Sequence, residues 1–292
     1  MSKLPSFRDS VADRYQKIFD LLAQSWLFVI ICIGTFIGLY ELNPVIFKHY
    51  PNWQRFNIGL LAFGMFNFTV NWFATRLANT AATDWEKSEE AELPNAHQQD
   101  SSETSPRCEV CQITKPPRAH HCKICRRCVA VRDHHCFFAG TCVGALNQKY
   151  FIIWTFWLAF GCAYSLFVLL YYMGFHEDWR SRGLSLLDAA VIPVIPMKLL
   201  WGSMGFYDAV VCTLMHSVGI GMMFGGYLCV SQLFLCSVNI TSFQYHNSHR
   251  SFWEYKPKLR FLRRTFGGHA LWFVQALFPV DLLCEAFARK RD

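Results

Sequence analysis

The sequence predicts an all-α integral membrane protein with four transmembrane helices and a cytoplasmic zinc-binding cysteine-rich domain between the second and third spans. Three observations lead to this fold class. Hydrophobic residues make up 53% of the 292 residues. Four apolar runs are long enough to cross a bilayer. Seven of the 13 cysteines fall between the second and third of these runs.

The apolar runs predict spans at approximately 26–47, 56–76, 150–173 and 207–238. Each run reaches the length of about 20 residues that a helix needs to cross the hydrocarbon core. The first run is too long, and begins too far from Met1, for a cleaved signal peptide, and no small-residue cleavage site follows it. We therefore expect an integral membrane protein without a separate targeting segment.

The distribution of charge predicts the orientation of the spans. The net charge is +7, and the lysines and arginines gather in residues 76–149 and 250–291. Because positively charged loops stay in the cytoplasm, we expect the cysteine-rich segment and both termini on that side. The reducing cytoplasm favours thiols or metal ligands over disulfides. Basic residues placed in this way beside membrane spans argue against nucleic acid as a partner.

The expected organisation follows from these spans. In chain order it comprises a cytoplasmic N-terminus (1–25), transmembrane helices 1 and 2 (26–76), a cytoplasmic linker (77–107), the cysteine-rich zinc domain (108–149), transmembrane helices 3 and 4 with a luminal loop at 174–206 (150–238), and a cytoplasmic C-terminal region (239–292). The polar composition of residues 81–106 predicts a flexible linker. Residues 270–283 are expected to form an interfacial helix, with the charged cluster 288–292 near anionic headgroups.

Residues 184–200 are apolar enough to suggest a fifth span. Pro193 and Pro196 interrupt them, and proline inside a helix costs about 3 kcal/mol where nothing compensates. A fifth span would also move the basic C-terminal region out of the cytoplasm. We therefore expect an interfacial or re-entrant luminal element here.

Polar residues inside the predicted spans have two possible roles. Asn67, Thr69, Asn71 and Trp72 lie toward the end of the second span, where contacts between helices are favoured over contacts with a ligand. Cys212 and His216 in the fourth span are expected to be packed polar residues. The glycines of that span suit close helix packing; they are Gly219, Gly221, Gly225 and Gly226.

One metal-site pattern is written twice between residues 108 and 142. The first copy reads C-x2-C-x9-H-x6-C, and adding 14 to each position gives the second, interleaved copy. Three thiolates and one imidazole are the ligand set of a closed tetrahedral structural zinc site. The predicted ligands are Cys108, Cys111, His121 and Cys128 for zinc 1, and Cys122, Cys125, His135 and Cys142 for zinc 2.

The repeat leaves one cysteine without a metal. A His-His-Cys trio occurs at 120–122 and again at 134–136, but the cysteine of the first trio joins zinc 2, whereas Cys136 has no third site to join. A free thiol beside His134, with Asp133 before it, is the arrangement needed for a nucleophile, its base and a group that orients the base. Cys136, His134 and Asp133 are therefore the predicted catalytic residues.

Residues 108–151 resemble the cysteine-rich domain of the DHHC family of protein S-acyltransferases, which is named after the tetrad at 133–136. The similarity extends to residues on both sides of the tetrad, which are Lys115, Pro116, Arg118, Cys142, Val143, Gly144, Asn147 and Phe151. It implies transfer of a long-chain acyl group from palmitoyl-CoA, through a Cys136 acyl-enzyme, to cysteine thiols of substrate proteins at the cytoplasmic membrane face. His134 would remove the thiol proton and Asp133 would fix the tautomer of the ring.

The expected location of such an enzyme is the endoplasmic reticulum or the Golgi. The acyl chain could lie between the spans while the CoA head stays in water. Basic residues near the tetrad could contact the CoA phosphates or be solvated surface charge; they are Lys115, Arg118, Arg126, Arg127 and Arg132.

The chain departs from the family pattern at four places. Phe137-Phe138 replace Pro-Trp, no Asp-Pro-Gly follows the second span, Thr241-Ser242-x-Gln244 replaces Thr-Thr-x-Glu, and Phe261 stands for an asparagine before Phe266-Gly267. A hydroxyl at 241 or 242 could still hydrogen-bond Asp133. The departures keep open an alternative, a catalytically weak or inactive zinc-stabilised membrane scaffold that binds client proteins. A zinc hydrolase or transporter is disfavoured because both metal sites are closed.

Overall fold

The computed structural model describes residues 7–82, 107–248 and 251–266. The helices are α1 (Phe7–Phe36), α2 (Asn43–Ile46), α3 (Pro51–Leu77), α4 (Gln148–Phe175), α5 (Glu177–Ser181), α6 (Leu186–Ala190), α7 (Val194–Leu200), α8 (Phe206–Val238), α9 (Ser242–Asn247) and α10 (Leu259–Thr265). A π-helical stretch, Ile37–Leu42, connects α1 directly to α2. A 3-10 turn, Phe252–Glu254, precedes α10.

Four stretches of helix are long and apolar enough to cross a membrane. They are Arg14–Ile46, Pro51–Leu77, Gln148–Phe175 and Phe206–Val238. The cysteine-rich segment lies between the second and third of them, which confirms the predicted fold class. The helices extend beyond the predicted apolar runs, because helical backbone hydrogen bonds continue through polar residues outside the hydrophobic stretch.

Residues 184–200 form two short helices, α6 and α7, of five and seven residues. Neither approaches the length of about 20 residues that a span requires. Pro193 is the N-cap residue of α7, and Pro196 stands in its first turn, where a missing N–H costs no hydrogen bond. The prolines therefore divide this apolar stretch into short pieces.

The chain divides into two compact units. The first comprises Met1–Ser25, Val70–Ile153 and Ser231–Asp292, and the second comprises Trp26–Thr69 and Trp154–Val230. In the second unit, Gly221 and Gly225 of α8 lie against α4, since a Cβ atom on them would fall 2.8 Å from the Cys162 sulfur and 3.2 Å from the Ala159 nitrogen. The close packing expected at four glycines is thus seen at two, because nothing lies within 4 Å of a Cβ at the other two.

Two of the polar residues in the fourth span are packed as predicted. The Nδ1 atom of His216 lies 2.9 Å from the carbonyl oxygen of Cys212, and its Nε2 atom lies 3.2 Å from the carbonyl oxygen of Ala190. Both contacts are backbone contacts inside the second unit. Neither residue belongs to a metal-competent cluster in the described part of the chain.

Two small antiparallel hairpins belong to the first unit. Their strands are β1 (His120–Cys122), β2 (Arg127–Val129), β3 (His134–Cys136) and β4 (Thr141–Val143). β1 pairs with β2 and β3 pairs with β4, with His121 opposite Cys128 and His135 opposite Cys142. The 14-residue repeat of the sequence is therefore also a repeat of structure. The sequence predicted the ligands but not these three-residue strands.

The two CxxC turns repeat in the same way. In each turn the backbone N–H of the second cysteine, Cys111 or Cys125, points to the sulfur of the first at 3.4 Å. The residue after each turn has a positive φ, 57° at Gln112 and 53° at Arg126. This left-handed conformation is uncommon outside glycine, and it occurs at equivalent places in both copies.

Asn147 joins the hairpins to two long helices. Its side-chain amide donates to the carbonyl oxygens of Thr75 in α3 and Cys142 in β4, at 2.8 and 2.9 Å. Its Oδ1 atom accepts from the backbone N–H of Gly144 at 2.8 Å. Because α4 begins at Gln148, one buried side chain links the end of α3, the second hairpin and the start of α4.

Several sequence-based expectations concern residues outside the described part of the chain. They are the flexible linker from residue 83 to 106, Gly267, the interfacial helix at 270–283 and the charged cluster at 288–292. These expectations stay predictions.

Candidate active site and metal clusters

The eight predicted metal ligands gather into two separate clusters. The ligand atoms of Cys108, Cys111, His121 and Cys128 all lie within 4.8 Å of one another, and so do those of Cys122, Cys125, His135 and Cys142. In each cluster the histidine presents Nδ1 to the sulfurs, at 3.2–4.0 Å around His121 and 3.3–3.7 Å around His135.

These distances suit a tetrahedral zinc ion. Zn–S bonds of about 2.3 Å in a tetrahedron separate two sulfurs by about 3.8 Å, and the sulfurs of Cys125 and Cys142 lie 3.7 Å apart. Each cluster offers four ligand atoms, which leaves no open coordination position. The two Cys/His clusters could therefore bind two structural zinc ions.

The alternation of side chains in β3 separates the metal ligand from the predicted catalytic residues. Successive residues of a strand point to opposite faces, so His135 faces the second metal cluster while His134 and Cys136 share the other face. The Cys136 thiol, two residues along the strand from His134, raises the pKa of that ring. Cys136 is buried, with 5% of its surface exposed, and it belongs to neither cluster. The predicted nucleophile and base thus lie together, away from the metal ligands.

His134 is held by a carboxylate on one side. Its Nδ1 atom lies 2.7 Å from Oδ2 of Asp133, and the ring of Phe151 meets the imidazole edge to face at 5.4 Å. Burial opposes the charged form of the ring, but the hydrogen bonds to Asp133 and Cys136 outweigh it and raise the pKa of His134 to about 9. The raised pKa favours the imidazolium form of the ring, and Nε2 is the nitrogen that can hold the proton given up by the thiol.

Asp133 is buried and has several hydrogen-bond donors. Its Oδ1 atom accepts from the backbone N–H of Ser242 at 2.5 Å, and its Oδ2 atom accepts from the Ser242 hydroxyl at 2.8 Å and from Nε2 of Gln232 at 2.7 Å. Burial favours the protonated acid, but the hydrogen bonds from His134 and Ser242 prevail and lower the pKa of Asp133. The carboxylate therefore stays charged and faces the imidazole. The predicted contact between a hydroxyl of this motif and Asp133 is confirmed at Ser242.

The glutamine that replaces the family's glutamate has a structural use. Thr241 caps α9: its hydroxyl accepts from the backbone N–H of Gln244 at 3.2 Å, and its own backbone N–H donates to Oε1 of Gln244 at 3.0 Å. This reciprocal capping box works with glutamine as well as with glutamate. It fixes the turn that presents Ser242 to Asp133.

Replacing Ser242 by alanine is expected to slow autoacylation about tenfold. A hydrogen bond to a charged group contributes about 1.5–3 kcal/mol, and each 1.36 kcal/mol in a barrier is a factor of ten in rate. The backbone N–H and Gln232 still hold Asp133, so the loss is partial. Labelling with a clickable palmitoyl-CoA measures the rate. Ser242→Thr, which keeps the hydroxyl, is the control and should label at the wild-type rate; equal slowing in both variants would contradict this role.

The segment after Cys136 is held by three side chains from two helices. The backbone carbonyls of residues 137–139 accept hydrogen bonds, in order, from Gln24 at 3.4 Å, Trp72 at 3.0 Å and Arg76 at 3.0 Å. Arg76 also donates to the side chain of Gln24. Gly140 follows with φ of 63°, and a Cβ there would lie 2.5 Å from the Arg76 guanidinium. These contacts fix the backbone where the family's Pro-Trp is replaced by two phenylalanines.

The basic residues near the tetrad have different surroundings. Arg118 donates from Nε to Oε1 of Gln244 at 3.1 Å and from Nη1 to Oδ1 of Asn239 at 3.2 Å. Burial lowers the pKa of Arg118. Arg132 faces the thiols of the second cluster, and Arg127 donates to the Thr80 hydroxyl at 3.2 Å. Arg126 is the exposed member of this set.

Sequence reasoning missed two polar residues that contact the tetrad. Gln232 lies in the apolar helix α8 and donates to Asp133, while its Oε1 accepts from Gln148 at 2.9 Å. Asp20 in α1 places Oδ2 2.9 Å from Nε2 of His135. The available signal was a polar residue in or beside a predicted span, where such residues usually face protein partners.

Comparison with protein families matches residues 101–249 to a model described as DHHC palmitoyltransferase. The match spans half of the chain and includes both metal clusters, the tetrad and the Ser242 turn. A comparison with curated proteins gave no match.

Proposed function

Because this chain belongs to the DHHC palmitoyltransferase family, we propose that it is an active protein S-acyltransferase that carries the acyl group on Cys136. The family in general transfers long-chain acyl groups to protein cysteines. The observation that supports activity in this chain is the buried array Asp133–His134–Cys136, with the carboxylate 2.7 Å from the ring and the thiol outside both metal clusters.

In the first step, His134 takes the proton of the Cys136 thiol through Nε2. The thiolate sulfur attacks the carbonyl carbon of palmitoyl-CoA, forming a new thioester as the bond to the CoA sulfur breaks. His134 returns its proton to the departing CoA thiolate. Asp133, charged and hydrogen-bonded to Nδ1, holds the ring in the required tautomer and stabilises its cationic form.

The second step repeats the same chemistry with a different thiol. A cysteine of a substrate protein gives its proton to His134 and attacks the Cys136 thioester. The acyl group moves to the substrate sulfur, and Cys136 leaves as a thiolate that takes the proton back. The two zinc ions would be held by the eight cluster ligands and would stabilise the fold of the hairpins. The proton transfers involve His134 and the reacting thiols, which lie outside both clusters.

The departures from the family pattern are compatible with this proposal. Gln244 completes the capping box that a glutamate would complete, and the backbone after Cys136 is fixed by Gln24, Trp72 and Arg76. Neither change removes the nucleophile, the base or the carboxylate. These contacts favour an active enzyme over a membrane scaffold.

We further propose that the tetrad faces the cytoplasm in a membrane of the endoplasmic reticulum or the Golgi. The support is the concentration of lysine and arginine in residues 76–149 and 250–291, which favours cytoplasmic placement of those segments. Substrate proteins would then present their cysteines at the cytoplasmic face of the bilayer.

Incubation of the purified protein with clickable palmitoyl-CoA tests the proposal. We expect a label that hydroxylamine removes, and transfer of that label to a cysteine peptide once the acyl-CoA has been washed away. Cys32→Ser is a matched control, because Cys32 is an exposed cysteine outside the clusters and its loss should leave labelling unchanged. A protein that holds two zinc ions and takes up no label would be the scaffold instead.

A further inference from the structure

The Asp20 side chain of α1 contacts the His135 ring in strand β3. Its Oδ2 atom lies 2.9 Å from Nε2 of His135, and the side chains of His135 and Asp20 are only 6% and 8% exposed. The other ring nitrogen, Nδ1, faces the sulfurs of Cys122, Cys125 and Cys142 at 3.3–3.7 Å. The imidazole therefore lies between a cluster of thiols and a buried carboxylate.

This arrangement has a defined use at metal sites. A histidine that binds a metal through one nitrogen donates the N–H of the other to a carboxylate or carbonyl, which fixes the tautomer and makes the ring a better ligand. We propose that Asp20 is a positioning residue for the second zinc, accepting the Nε2 proton of His135 so that Nδ1 is free to bind the metal. This inference rests on the proposed zinc occupancy of the second cluster.

The carboxylate is itself oriented. Its second oxygen, Oδ1, accepts from the side-chain amide of Gln16 at 3.1 Å. One turn later on the same helix, Gln24 donates to the Asp20 backbone carbonyl at 2.8 Å and also reaches the segment after Cys136. Both oxygens of Asp20 thus have a partner, as a buried charge requires. Helix α1 is tied to the second hairpin through two adjacent turns.

The first cluster provides an internal comparison. His121 presents Nδ1 to its three cysteines just as His135 does, and its position is 14 residues earlier in the repeat. Within the described residues, no carboxylate lies against the Nε2 atom of His121 as Asp20 lies against His135. The two clusters match in their ligands and differ in this support. Loss of Asp20 should therefore affect one zinc ion and spare the other.

The contact also concerns the strand that carries the nucleophile. His135 stands between His134 and Cys136 in β3. Because neighbouring residues of a strand move together, the orientation of His135 helps to set the positions of the base and the thiol. Asp20 thereby links the N-terminal helix to the strand of His134 and Cys136 through the His135 ring.

Zinc release from Asp20→Asn tests this role. We expect the purified wild-type protein to hold two zinc ions by plasma mass spectrometry, and Asp20→Asn to lose one of them to a chromogenic chelator about 10–100-fold faster. Mass-spectrometric mapping of the cysteines that become open to alkylation should find Cys125 and Cys142 before the cysteines of the first cluster. Asp20→Glu, which keeps a carboxylate, should restore slow release in part.

Glu109→Gln is the matched control, since Glu109 is an exposed carboxylate in the first CxxC turn, and its release rates should equal those of the wild type. Asp20→Asn preserves the size of the side chain, so it remains decisive if Asp20→Ala fails to fold. If Asp20→Asn released both ions at the wild-type rate, or if the cysteines of the first cluster opened earlier, the role of Asp20 would be wrong while the zinc proposal would stand. Fewer than two ions in the wild type would overturn the zinc proposal, and this inference with it.

Discussion

Replacing His134 by alanine is expected to slow autoacylation about 10²–10⁴-fold, the usual contribution of a positioned general base, while both zinc ions stay bound. The ring lies 2.7 Å from Asp133 and shares a face of β3 with the Cys136 thiol. Its place on the face of β3 opposite His135 keeps it away from the metal. The measurement is the initial rate of labelling by clickable palmitoyl-CoA, with the zinc content of the same preparation.

The chain offers a matched control for this substitution. His120 occupies the equivalent place in the first hairpin, opposite Val129 as His134 is opposite Val143, and its ring packs on Phe243 at 4.6 Å. His120→Ala should keep both the label and the zinc. Labelling of His134→Ala at the wild-type rate would show that another group removes the thiol proton.

Replacing His135 by alanine is expected to release the second zinc and to unfold the second hairpin. Three thiols without their imidazole would be left around an incomplete site, and a segment of three-residue strands has little core of its own to compensate. We expect about one zinc per chain, a lower thermal unfolding temperature in detergent, and no acyl label. If His134→Ala and His135→Ala lost equal amounts of zinc, the roles of the two adjacent histidines would be wrongly assigned.

The metal clusters and the separation of Cys136 from them could be predicted because their information is local. Fixed spacings within 35 residues define the ligands, and the trio at 134–136 lacks a third site for its cysteine. The four spans could be predicted equally well, since an apolar run of about 20 residues in a sequence usually indicates a membrane span. Their ends were less well predicted: α1 is helical from Phe7, well before its apolar part begins.

The supporting contacts could not be predicted because they join distant parts of the chain. Asp20 is 115 residues from His135, and Gln232 is 99 residues from Asp133. Both residues are too far from the tetrad in the sequence to belong to a motif of fixed spacing. Each is an isolated polar residue in a long helix, and such a residue indicates a protein partner without saying which one.

Two departures that favoured the scaffold alternative acquire a physical explanation. At 244 the exchange of glutamate for glutamine keeps the oxygen that the capping box and Arg118 require. At 137–138 the backbone is held by donors from α1 and α3, and the ring of Phe137 packs on Phe19 at 5.2 Å. The absent Asp-Pro-Gly after the second span has no replacement that we can identify among the described residues.

Mapping the acyl group on the zinc-loaded protein tests the central claim, which is that Cys136 carries the acyl group and the cysteines of the two metal clusters do not. The protein is labelled with palmitoyl-CoA, its remaining thiols are alkylated after denaturation, and the peptides are identified by mass spectrometry. In the wild type we predict palmitate on Cys136, and alkylation of the six cluster cysteines and of Cys32 in α1. In Cys136→Ser we predict no palmitate, with two zinc ions still bound. Palmitate on a cluster cysteine, or undiminished label in Cys136→Ser, would contradict the account.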